Sequence, residues 1–289
     1  ISAMFKPLAK WAVQIDQAER LPELLARAFK VATSGRPGPV IISIPEDVQH
    51  EMITASASVI NVPIVPSPAP SQIVQLGTLI SKAKQPVILL GSSTWTAEAC
   101  EQVAGFAKRH DIPVIASFRC QDRINNEHPN YVGVLGVGTP PFISNLIDGS
   151  DLLIILGVEL SEIVTEGFNK FTHPKMRQPM VHVHPDEEEL GRIYQPDLAI
   201  HSGIATFANL IADKTFDITV ARSLATADLR MKFEEFTTPS SCPGDVHIGE
   251  ILTWLDKRMP QDTFVSCGAG NYTHWVLRFL KHRKYGTQL

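Results

Sequence analysis

Gln85-Pro-Val-Ile-Leu-Leu-Gly91, Asp151-Leu-Leu-Ile-Ile-Leu-Gly157 and Pro179-Met-Val-His-Val183 are three short apolar runs, each ending on glycine or leading into a polar turn. Runs of that length, rich in leucine and β-branched residues, read as strands buried on both faces. Between the first two, Ala99, Val103, Phe106 and Ala107 recur at helical spacing over residues 97–110, and Pro113-Val-Ile-Ala116 follows as a further strand. Strand, helix, strand is a βαβ unit. Right-handed crossovers lay such strands parallel in one sheet and put loops and ligands at their carboxyl ends.

Working outward, a helix is expected over residues 71–83, a short strand at Leu198-Ala-Ile200 and a closing helix over 204–211. The fold expected is α/β: a central open parallel sheet flanked by helices, Rossmann-like, over residues 63–215, with partial α/β domains at both ends. Before it, residues 19–34 carry an apolar stripe (Leu21, Leu24, Leu25, Ala28, Phe29, Ala32), with Pro22 in the first turn, where its missing N–H costs least. Gly35 ends that helix, and Arg36-Pro-Gly-Pro-Val-Ile-Ile-Ser-Ile-Pro45 feeds one buried strand. A single strand leaves both edges unpaired, so residues 1–62 read as the closing part of a larger domain. The proline-rich stretch Asn61–Ser71 separates it from the centre.

After the centre come a helix over 221–236, a linker over 216–244 that contains it, and a third segment over 245–289. In that segment a helix over 247–258 is expected to turn Ile248, Ile251, Leu252 and Leu255 inward. Thr263-Phe-Val-Ser-Cys267 reads as a strand, and Gly268-Ala-Gly-Asn-Tyr272 as a turn into a helix over 273–281. Strand, glycine turn and helix N-terminus together form an anion-binding arrangement. Only one strand of that domain is present, so the third segment reads as incomplete too.

Composition bounds the function. The 289 residues are 44% hydrophobic and 19% charged, with a net charge of −4, which offers no basic field for nucleic acid or an anionic membrane surface. No apolar run approaches the roughly 18 residues of a membrane span. Cys100, Cys120, Cys242 and Cys267 form no C-x-x-C pair, so a disulfide framework or a structural zinc is not expected, and a reducing cytoplasm is. There is no G-x-S-x-G elbow, H-E-x-x-H helix or Walker A loop.

Candidate ligand contacts lie just past strand ends: Gly91-Ser-Ser93, Ser117–Arg119, Gly157-Val-Glu159 and His184-Pro-Asp186. Glycine there lets backbone approach a phosphate or flat ring, although many such glycines only end strands. Gly133-x-x-Gly136-x-Gly138 is not the G-x-G-x-x-G fingerprint and reads as loop. His182 and His184 alternate along a strand and so share a side, but no third metal ligand stands near them beyond Asp186. Residues 186–189 read as the first turn of a helix.

An incomplete α/β unit, a complete α/β domain and another incomplete unit resemble the thiamine-diphosphate-dependent enzymes of the acetolactate synthase and benzoylformate decarboxylase type. The resemblance rests on Ala18-Glu-Arg-Leu-Pro-Glu23, Ala32–Val40 and Pro45-Glu-Asp-Val48 for the end of a pyrimidine-binding domain. Gln85–Gly91, Ser150–Gly157 and Val181–Asp186 carry it for the central domain, and Asp262–Tyr272 with Trp275 for the opening of the diphosphate-binding domain. It implies that Ala269, Gly270, Asn271 and Tyr272 touch the diphosphate of thiamine diphosphate. The family's activating glutamate is expected upstream of Ile1, and its G-D-G…N motif for Mg²⁺ beyond Leu289. No catalytic or metal residue is therefore assigned within the chain, and the chain alone is expected to be inactive.

The resemblance further implies a small 2-oxo acid substrate, decarboxylase or carboligase chemistry, and a homodimer or homotetramer. FAD, carried by some relatives, is disfavoured: Glu159 follows Gly157 where an arginine is usual, and a carboxylate repels a pyrophosphate. The alternative reading is a non-catalytic nucleotide-binding or oligomerisation module derived from the central domain.

Overall fold

The computed structural model describes residues 1–54, 62–222 and 225–289. Asn61, where the expected linker begins, and Ser223 and Leu224 of the expected 221–236 helix lie outside them. The chain divides into two compact units, Ile1–Pro66 and Ser67–Leu289.

In the first unit, α1 (Ser2–Phe5), β1 (Trp11–Gln14), α2 (Leu21–Thr33), β2 (Val40–Ser43) and α3 (Glu46–Gln49) follow in order. The strand expected to stand alone has a partner: β1 runs parallel to β2, with Trp11 opposite Val40 and Gln14 opposite Ser43. Ile15, Ala18, Leu24 and Val48 form the core, while Leu25 and Phe29, expected on the inward stripe of α2, are largely exposed. Two strands give α2 only a narrow surface to cover, so half its apolar face stays wet.

The second unit contains α4 (Pro70–Lys82), β3 (Pro86–Leu90), α5 (Ala97–Arg109), β4 (Val114–Ser117), β5 (Tyr131–Leu135), α6 (Pro141–Gly149), β6 (Leu152–Leu156), β7 (Met180–His184), β8 (Leu198–His201), α7 (Ile204–Ile211), α8 (Thr226–Phe236), α9 (Ile248–Asp256) and α10 (Thr273–Phe279). Six of its strands form one parallel sheet in the order β5-β4-β3-β6-β7-β8. Every residue of β3, β4, β6 and β7 is buried. This is the pattern of a sheet covered on both faces, and it explains why these strands read as unbroken apolar runs.

Side chains alternate between two cores. Ile88, Leu90, Ile154, Leu156, Val181 and Val183 pack under α4, α5 and α7. Val87, Leu89, Leu153, Ile155 and Met180 pack under α6 with Leu229 of α8. The helix at 97–109 buries Ala99, Val103, Phe106 and Ala107 as its spacing predicts, and Thr96 caps it by accepting the Ala99 N–H at 3.1 Å.

Several expectations fail. β5 occupies residues read as loop, with Gly133 inside the strand at φ +136°, a backbone region that glycine enters without a Cβ penalty. Residues 186–189 do not open an α-helix; they make one 3₁₀ turn, Glu187–Glu189, capped by Asp186. Thr263–Cys267 is not a strand but an isolated parallel bridge between Val265 and Gln288, in which the Val265 N–H donates to Thr287 O at 2.8 Å and the Leu289 N–H to Val265 O at 3.1 Å. Along α9, Ile248, Ile251 and Leu255 are exposed rather than inward, Leu252 is half-buried, and Trp254 is exposed beside them. No described helix is long and apolar enough to cross a membrane.

Candidate functional site at the carboxyl edge of the sheet

β3 is followed by β4 on one side of the sheet and adjoins β6 on the other, so the direction of winding reverses between β3 and β6. Loops diverge at such a reversal, and ligands of open α/β sheets lodge there. In this chain the reversal is closed by backbone. The Gly91 N–H donates to Leu156 O at 2.8 Å and the Ser92 N–H to Gly157 O at 3.1 Å. A Cβ on Gly91 would lie 2.1 Å from Gly157 O, so glycine is needed for strand-to-strand approach. Gly157 itself sits at φ +67°, with Ile204 3.0 Å from where its Cβ would be.

Next to this closure, His182 and His184 do lie on one side of β7, their rings 5.8 Å apart. Both are buried, and the His182 Nε2 meets Val158 O at 3.0 Å. Burial pushes the His182 pKa down to about 4, outweighing that hydrogen bond, with the His184 ring pressing the same way. The imidazole is a neutral structural group at pH 7. No cluster of three or more His, Cys, Asp or Glu able to hold a metal occurs among the described residues.

The other half of the edge is joined to the glycine turn of the third segment. Arg119 leaves the end of β4 at φ +60° and donates through Nη2 to the carbonyls of Cys267 and Gly268, at 3.0 and 2.9 Å. Thr273 Oγ1 adds a bond of 2.8 Å to Gly268 O. Because each peptide is planar and trans, tying the Gly268 carbonyl toward Arg119 and Thr273 turns the Ala269 N–H the opposite way. After β5, Gly138 abuts His274, whose Nδ1 would stand 2.3 Å from a Cβ there.

The structure thus brings together Ser117–Arg119, the Gly136–Gly138 loop and the 268–274 turn. It groups Gly91–Ser93, Gly157–Glu159 and His184–Asp186 separately around β3, β6 and β7. Nothing local in the sequence marks the pairing of Arg119 with a turn about 150 positions away.

Ala269, Gly270, Asn271 and Tyr272 lie exposed on this turn. Gly268 and Gly270 form a small cradle occupied by the Tyr272 side chain: a Cβ on Gly268 would meet the phenol oxygen at 2.3 Å, and one on Gly270 the ring at 2.6 Å. Without Cβ atoms, Gly268 and Gly270 would leave backbone open to an anion once the exposed ring moves aside. As folded, the phenol stands in that place.

A doubly covered parallel sheet with loops gathered at its carboxyl edge is a ligand-binding α/β domain, and its family follows from the comparisons. Residues 73–211 match the family model described as thiamine pyrophosphate enzyme, central domain. The acetolactate synthase large subunit of Corynebacterium glutamicum is 28% identical over 302 residues, covering 100% of this chain and 47% of that protein. The glyoxylate carboligase of Escherichia coli O157:H7 is 30% identical over 216 residues, covering 74% of this chain and 36% of that protein. The X-ray structure of a protein from Mycobacterium smegmatis described as a thiamin diphosphate-dependent enzyme superposes with a TM-score of 0.76 at 19% identity. That match covers 99% of this chain and 54% of the solved one, and it speaks to the fold alone. The chain spans about half the length of the curated relatives it matches. Residues 73–211 are a central domain of the thiamine pyrophosphate enzymes, and the proteins similar to the chain include acetolactate synthases and a glyoxylate carboligase.

Proposed function

We propose that these residues serve in a thiamine-diphosphate- and Mg²⁺-dependent decarboxylase or carboligase acting on a small 2-oxo acid, and that the 289-residue chain alone is inactive. The observation that carries the reading is the junction just described: a central domain of this family whose β4 end holds, through Arg119, the turn 268–272. When bound, thiamine diphosphate supplies an electron sink for carbanion chemistry at a 2-oxo carbon. On this reading Ala269, Gly270, Asn271 and Tyr272 hold the diphosphate with backbone N–H groups, while Arg119 and Thr273 orient the turn from behind. Neither acts as a general acid or base. The chain is further proposed to work as a homodimer or homotetramer, a reading supported by the exposed apolar residues Ile248, Ile251 and Trp254 of α9.

Calorimetric titration with inorganic pyrophosphate and with Mg²⁺ and thiamine diphosphate tests the turn, using Tyr272→Ala beside the native chain. Emptying the cradle should tighten binding several-fold, and no difference between the two proteins would remove the turn from the reading. Carbon dioxide release from pyruvate or glyoxylate by the purified 289 residues would refute the proposed inactivity. A protein of the relatives' full length that contains these residues and turns over 2-oxo acids without thiamine diphosphate would refute the function itself.

A further inference from the structure

A cavity of about 530 Å³ lies against α5 and is lined by none of the carboxyl-edge residues discussed above. Its floor is small and apolar: Ala97, Cys100, Ala104 and Gly105 of α5. The 122–128 segment forms one wall and Arg283, Lys284 and Tyr285 the other. The volume falls within the range of sites that take small organic molecules, roughly 300–1,000 Å³.

The glycine on the floor is informative. Gly105 is inside a regular helix, where glycine costs about 1 kcal/mol relative to alanine. It is not required by close packing, because a Cβ there would meet nothing nearer than Arg109 Nη1 at 3.9 Å. Its effect is to leave the groove open.

The polar groups are asymmetric in what they have left to offer. Asp122 is saturated: Oδ2 accepts the N–H groups of Gly286, Thr287 and Gln288, and Oδ1 accepts from Arg123 at 2.7 Å. Arg283 is committed to Asp256 and Glu127. The Lys284 ammonium has no ion pair among the described residues. His128 Nδ1 accepts the Asn130 N–H at 3.2 Å, which leaves Nε2–H as the donor of that ring. Glu101, the remaining carboxylate, is exposed at the rim. Unspent donors over an apolar floor suit a ligand with an anionic head and a short hydrocarbon tail.

We propose that this groove is a binding site for a small organic monocarboxylate, its tail on Ala104 and Gly105 and its head toward Lys284 and His128. Calorimetric titration of the 289-residue chain with sodium hexanoate tests it, with inorganic phosphate as competitor. One site is expected, weakened at least tenfold by Gly105→Leu, which fills the groove, and by Lys284→Gln, an exposed change that leaves the fold alone. Phosphate should not displace hexanoate. The proposal is overturned if hexanoate does not bind, if Lys284→Gln binds it as well as the native chain does, or if phosphate competes equally, which would make the apolar floor irrelevant.

Discussion

Asp122 Oδ2 accepts the backbone N–H of Thr287 at 3.1 Å, between those of Gly286 at 3.0 Å and Gln288 at 3.3 Å, in a site where Asp122 is buried. Three successive N–H groups converging on one carboxylate form an anion nest. Beside it, Gln121 and Gln288 exchange two hydrogen bonds, and Asn126 pairs with His282 through both its backbone N–H and its side-chain carbonyl. Removing the carboxylate would strand the buried donors of Thr287 and Gln288, each worth roughly 1–3 kcal/mol. Asp122→Ala is expected to lose about 2–4 kcal/mol in urea unfolding and to speed amide exchange at residues 286–288, with Asp122→Asn milder.

Two glycines make a paired test of backbone approach. Gly91→Ala drives a Cβ to within 2.1 Å of Gly157 O and 2.4 Å of its carbonyl carbon, where only backbone could give way. A loss of at least about 3 kcal/mol, or failure to fold, is expected. Gly105→Ala should instead gain about 0.5–1 kcal/mol from helix propensity. Thermal unfolding of the two variants should shift in opposite directions.

Acid should weaken the fold through its buried imidazoles. The His182 pKa is about 4 in the folded chain against an ordinary 6.5, so the unfolded chain takes up a proton that the native chain refuses. Stability from this group is full above pH 6.5 and falls as pH drops toward 4, by on the order of 3 kcal/mol. Burial lowers His110, His128 and His282 as well, which adds the same sign. Urea midpoints at pH 7 and pH 4.5 should differ accordingly, and His182→Phe should flatten the dependence.

Thiol reactivity should sort by environment. Burial lifts the Cys100 pKa to about 12 and raises that of Cys120, while Cys242 is exposed. Only thiolates react quickly. A disulfide reagent should therefore modify Cys242 first, Cys100 on the groove floor only slowly because its thiolate is scarce, and Cys120 only after unfolding; prompt modification of Cys120 would contradict its burial.

The strands read most plainly from sequence were those buried on both faces, since Val87–Leu90 and Leu152–Leu156 carry nothing but apolar side chains, while β2 and β8 were legible as short apolar runs despite partial exposure. β5 escaped because Gly133 interrupts Tyr-Val-Gly-Val-Leu, and a glycine in a strand looks like a break until a neighbouring strand is known to accept it. The run at Val265 was overread for the converse reason: its pairing with residues 287–289 amounts to one bridge, and how far a ladder extends cannot be read from a β-branched run. At the site, the glycine turn was visible as a motif. Its attachment to Arg119 and the occupancy of its cradle by Tyr272 were not, because both depend on contacts between side chain and backbone that no periodicity encodes.

The reach of Arg119 gives the turn a mechanical consequence. A residue held in a left-handed conformation at the tip of β4 grips two consecutive carbonyls, so the 267–268 backbone cannot drift without loading that hinge. Tension at the surface loop is passed inward to the sheet, and an event as small as a ring swinging off two glycines would register as a change in the amide signals of β4.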